Sequence, residues 1–148
     1  MGLNIALAAF YAPFIYAFGF VNTLFVVLPI VHIASAAGGW LFFIQHQFEE
    51  THWEKAEGWD FQVAALLGSS FYDLPKVLNW FTGNIGLHHI HHLNSMIPNY
   101  RLVSCLNDSP ELKDINRLTI RDSFKCASLK LWDESHQRLM SFKELQSA

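Results

Sequence analysis

Residues 88 to 92 read His-His-Ile-His-His, so four of the chain's eight histidines fall within five positions. On a helix, His88 and His92 are four residues apart and His88 and His91 three apart, and both spacings place side chains on one face. His91 and His92 are neighbours about 100° apart around a helix, so they can address two different centres. Abundant neutral imidazole with no cysteine close by suits Fe, Zn, Cu or Ni better than Mg or Ca. The competing reading is a polar or pH-sensing cluster, in which closely packed imidazoles repel one another once protonated.

The other histidines are more dispersed. His46 lies in "FFIQHQFEE", at the end of a long apolar run, where an ionisable side chain is costly unless it is used or hydrated. It reads equally as a ligand and as a hydrated end residue. His32 is deeper in the apolar run and reads as a contact to another polar helix group. His52 and His136 read as surface residues, and Glu49, Glu50, Glu54 and Glu57 as a solvated interfacial face. Cys105 and Cys126 have no metal-type spacing and are expected to be reduced, buried or half-buried thiols.

The elements that must hold these residues follow from a division in the chain. No Asp, Glu, Lys or Arg occurs before Glu49, and all ten basic residues lie at or after Lys55. A run of 48 uncharged residues exceeds the roughly 20 needed for one bilayer crossing. Its weakest point is "GFVNT" at 19 to 23, which predicts two transmembrane helices at about 3–19 and 22–48 joined as a hairpin. Pro13 and Pro29 inside them are tolerated in membrane helices, and "ASAAGGW" supplies small residues for close helix approach. The run is too long and lacks the basic start of a signal peptide. A hairpin returns residue 49 to the face it left, and the positive-inside tendency assigns that face to the cytoplasm.

Residues 49–148 read as a cytoplasmic and interfacial helical region. Its apolar stretch 61 to 70 is too short to span, and a helix is expected at "DLPKVLNWF" with Pro75 in its first turn. "TGNIG" forms a tight connection with Asn84 or Thr82 available as an N-cap, and amphipathic helices are expected from about 110 to 145. The fold class is thus all-α, with the hairpin followed by helices.

"WLFFIQHQFEETHWE", followed by "LNWFTGNIGLHHIHHLNSMIPNYRL", resembles the C-terminal half of an integral-membrane fatty acid desaturase of the bacterial and cyanobacterial acyl-lipid type. "HHIHH" contains that family's third histidine box, HxxHH, at His88, His91 and His92, and "QHQFE" matches the helix-end motif that contributes a further histidine, here His46. The likeness runs from about residue 1 to 145 and includes "LKLWDE". It implies a multi-pass membrane enzyme with its histidine box on the cytoplasmic side and a diiron centre ligated almost wholly by histidine. His46, His88, His91 and His92 would be ligands, His89 a possible one, and Gln45 and Asn84 supporting or interfacial residues. It further implies O2, a membrane lipid or other acyl substrate, and an electron donor of ferredoxin or cytochrome b5 type, with no nucleic-acid partner. Breaking an alkyl C–H bond exceeds what acid–base side chains can do, so a redox metal must carry it.

The family's two earlier boxes, HxxxH and HxxHH, do not occur in these residues. The chain is therefore expected to form part of a larger desaturase fold, with the remaining iron ligands supplied by a missing N-terminal half. Other readings are a diiron hydroxylase or carotenoid ketolase of the same superfamily, which "QHQFEETHWE" disfavours, and a non-catalytic membrane remnant.

Overall fold

Uncharged, apolar sequence leaves little besides backbone hydrogen bonding to organise the first third of the chain. In a computed structural model describing residues 1–147 it forms α1 (Gly2–Phe18) and α2 (Phe20–His46). Gly19 separates them with φ 80°, a left-handed backbone conformation that costs glycine little. Pro13 and Pro29 are accommodated inside the helices. Residues 1–40 form one compact unit, and the chain from Leu41 onward forms a second.

Within the first unit no residue is buried. The anticipated hairpin therefore has no packed seam there; Tyr11, Thr23 and Val27 are half-buried around an apolar cleft of about 390 Å³. A helix apolar on every side needs an apolar environment around it, and α2 is long and apolar enough to cross a membrane.

The last turn of α2 belongs to the second unit, where Ile44 and Gln45 are buried. The division falls here rather than at the first charge because packing, not charge, begins at residue 41. Asp60 caps α3 (Phe61–Leu67), its side chain accepting from the Val63 amide. α4 (Lys76–Phe81) follows Pro75, and the histidine block forms α5 (His88–Leu93). α6 (Asn99–Asp108) follows Pro98 and presents Leu102 and Leu106 to the core. Phe71, Leu87, Ile90 and Leu112 complete that core. A 3-10 turn at Pro110–Asp114 leads to α7 (Ile120–Cys126), and α8 (Phe142–Ser147) ends the described chain. Thr119 and Asp122 form a reciprocal capping box at the start of α7.

The second unit is mostly helical but not all-α. β1 (Phe71–Tyr72) pairs in parallel with β2 (Arg117–Leu118), and β3 (Leu129–Asp133) pairs antiparallel with β4 (Arg138–Ser141). The β3–β4 hairpin replaces part of the amphipathic helix expected to 145. Its cause is local: the Asp133 carboxylate accepts from the Ser135 and His136 amides and the Ser135 hydroxyl. Such side-chain bonds to nearby backbone compete with helix formation, and Gln137 completes the turn at φ 52°.

The N-cap expectation also fails. Leu87 occupies that position of α5 without a side-chain bond. Thr82 ends α4, its hydroxyl donating to the Leu78 carbonyl, and Asn84 lies in the left-handed region and donates to the Asn99 carbonyl. Cys105 and Cys126 are free thiols, half-buried and buried.

Candidate metal centre

Two elements far apart in sequence build the site. α5 places His88 and His92 one helical turn apart, and the C-terminal end of α2 brings His46 to them. His88 Nε2 lies 3.0 Å from His46 Nε2 and 3.1 Å from His92 Nε2. The three donor nitrogens lie within 4.8 Å of one another. The rings meet edge-on, with centroids 4.5 to 4.9 Å apart.

Backbone contacts hold this approach. The buried Gln45 amide donates to the Ile85 carbonyl at 2.8 Å, tying the end of α2 to the turn before the box. The Ser70 amide donates to the Gln45 carbonyl at 3.0 Å. The Tyr72 amide donates to the Gly86 carbonyl at 2.8 Å, so β1 fixes the entry to α5.

His46 Nδ1 lies 3.1 Å from the Gly68 carbonyl oxygen. A carbonyl only accepts, so this contact puts the proton on Nδ1 and leaves the His46 Nε2 lone pair free. His88 Nε2 then faces two nitrogens with a single in-plane valence position. If it donates to His46 it has nothing to offer His92. If it accepts from His92, its lone pair opposes that of His46. Hydrogen bonds among the three rings cannot satisfy them all.

A cation receiving three lone pairs can. Two nitrogens bound at about 2.1 Å and at right angles are about 3.0 Å apart, close to the separations here. Two of the donors are also held toward the neutral form. Burial, reinforced by His92, His46, His91 and His89, pushes the His88 imidazolium down to about 3. Burial, then His46 and His91, lowers His92 as well. The donor set fits a transition metal that accepts imidazole, iron among them.

His91 is outside the three-nitrogen cluster. Its ring, half-buried, stacks on His88 with centroids 5.6 Å apart. His89 turns the other way: it is fully buried, its Nε2 lies 3.0 Å from the Leu112 carbonyl, and its ring packs beside Phe71. Burial lowers its pKa. His52 lines a cleft of about 330 Å³ that His46 and His92 share with Trp59 and Phe61. His32 contacts the Leu28 carbonyl of its own helix, and His136 pairs with Asp133. The Gly68 carbonyl has no counterpart in the sequence reading, because a backbone acceptor carries no residue-type signal.

An imidazole cluster that could hold a metal ion, at the end of a helix long and apolar enough to cross a membrane, is the pairing the site presents. The comparisons with known proteins narrow this. The family model "Fatty acid desaturase" matches residues 1–120. A fatty acid desaturase from Bacillus subtilis (strain 168) is 41% identical over 143 residues, covering 97% of this chain. The chain belongs to the fatty acid desaturase family, a family of oxidoreductases. It spans 41% of the length of that curated relative. No solved structure matches it.

Proposed function

We propose that this chain is the part of a membrane fatty acid desaturase that carries the third histidine box, and that the complete protein introduces a cis double bond into an acyl chain using O2. The observation that carries the reading is the convergence of His46, His88 and His92, whose nitrogens hydrogen bonds among the three rings cannot all satisfy. These three imidazoles hold one iron. His91, turned about 100° from His92 along the helix, serves the second, and its further ligands come from the rest of the protein. Iron bound there supplies the redox chemistry with O2 that removing hydrogen from an unactivated methylene pair requires. His89 is a core residue in this reading.

The chain's own residues do the positioning. Gly68 orients His46, Gln45 and Asn84 brace the turn before the box, and burial keeps His88 unprotonated and ready to bind. α1 and α2 form the membrane-crossing hairpin, with the box on the cytoplasmic side, which brings the site to its lipid substrate. Electrons arrive from a ferredoxin or cytochrome b5-type donor.

The test is iron analysis of the purified 148-residue chain beside its His88→Ala variant. Less than two irons per chain, lost in the variant, and no desaturation by the chain alone are expected. Iron retained by the His88→Ala variant overturns the ligand assignment, and two tightly bound irons with turnover overturn the need for a second part.

A further inference from the structure

The His46 ring is aimed by a carbonyl on the loop that ends α3, and that loop is held from outside by one side chain. Asn116 Nδ2 lies 3.1 Å from the Leu66 carbonyl, 3.1 Å from the Leu67 carbonyl and 3.2 Å from the Ser69 carbonyl. These three oxygens flank the Gly68 carbonyl, which takes the His46 Nδ1 proton. The Asn116 carbonyl in turn accepts from the Phe71 amide at 3.0 Å, so the residue grips the loop by side chain and main chain. Carbonyls at a helix C-terminus have no partner within the helix. Without Asn116, those of Leu66 and Ser69 would rotate to find one and turn the Gly68 peptide between them.

Resting on the metal-centre reading above, we propose that Asn116 is a positioning residue for His46. It fixes the Gly68 carbonyl, which sets the Nδ1–H tautomer and points the Nε2 lone pair at His88 and His92. Ring orientation and tautomer set by such outer hydrogen bonds govern metal affinity, and their loss typically costs about 10- to 100-fold.

Asn116 lies at φ 45°, so alanine there would add backbone strain of its own. Asn116→Gly deletes the amide and keeps the backbone conformation, whereas Asn116→Asp keeps the shape and removes the donors. Nitrogen NMR of the metal-free chain in detergent micelles at about pH 8, above the ordinary imidazole range, reads the His46 tautomer. Titration with Co(II), followed by its visible absorption, reads affinity.

In the wild-type chain His46 is expected as the Nδ1–H tautomer. Both variants should add the Nε2–H form and weaken Co(II) binding about tenfold. Gln137→Gly, at another positive φ of 52°, should change neither readout. Wild-type His46 in the Nε2–H form overturns the proposal. So does a folded Asn116→Gly chain, judged by circular dichroism, that keeps the wild-type tautomer and binds Co(II) within about twofold of wild type. If the wild-type chain takes up no Co(II), the metal-centre reading fails, while the tautomer comparison still decides the role of Asn116.

Discussion

His88 and His89 are adjacent and both buried, yet their environments assign them opposite work. The His88 Nε2 sits between two other imidazoles, whereas the His89 Nε2 meets the Leu112 carbonyl in the core. The two substitutions should separate accordingly. His89→Ala empties a fully buried site and leaves the Leu112 carbonyl without its donor, a loss of about 2–4 kcal/mol. Urea denaturation should show that loss, with the Co(II) affinity of the folded fraction within about threefold of wild type. A large fall in affinity at unchanged stability would instead make His89 a ligand. At this scale the sequence was legible in residue types and helical spacing. It could not rank four consecutive-looking histidines, because rank depends on which face of α5 meets the end of α2 and which meets the core.

Among the elements, the end of α3 does more than its length suggests. Gly68 continues from α3 at φ −87° and ψ 0°, and a Cβ there would stand 2.5 Å from the Ala64 carbonyl oxygen. Backbone cannot swing aside as a side chain can, so Gly68→Ala must move the loop that carries the His46 acceptor. The expected result is about 1–3 kcal/mol of lost stability together with weaker Co(II) binding, measured by thermal melting and by titration. Full metal affinity in a folded variant would show that the loop adapts. Apolar composition pointed to helices at about 3–19 and 22–48, and α1 and α2 lie at Gly2–Phe18 and Phe20–His46; the histidine spacing was weighed as it would fall on a helix, which α5 is. The β3–β4 hairpin was not, since Leu129, Leu131 and Trp132 fit a helical face as well as a strand. Asp133 decided it by capturing the turn. The hairpin then reaches back to the segment after His46: the Leu139 amide donates to the Glu49 carbonyl at 2.8 Å and Arg138 pairs with Glu49.

For the molecule as a whole, the contrast is between residues 1–40, where nothing is buried, and the second unit, which has its own core. Apolar side chains such as Phe25 and Ile33, 75% and 71% exposed, would be costly in water at about 25 cal/mol per Å². On the membrane reading, Val27→Lys places a charge within α2 and should cost about 3 kcal/mol of insertion. Alkaline-carbonate extraction of membranes should then release a larger share of the variant than of the wild-type chain. Equal retention would argue that α2 does not cross the bilayer.

Composition alone determined that the chain is two materials, because 48 uncharged residues cannot be solvated as the remainder is. Motif alone determined the family, because "HHIHH" and "QHQFE" carry residue types that few other chemistries need. The tertiary structure decided which nitrogens meet. His46 and His88 are 42 positions apart, and only the buried Gln45, the Gly68 carbonyl and the packing of α5 against α3 bring them to 3.0 Å. The reason is physical: side-chain spacing fixes neighbours within one helix, whereas contact between helices is set by backbone groups that have no letter in the sequence.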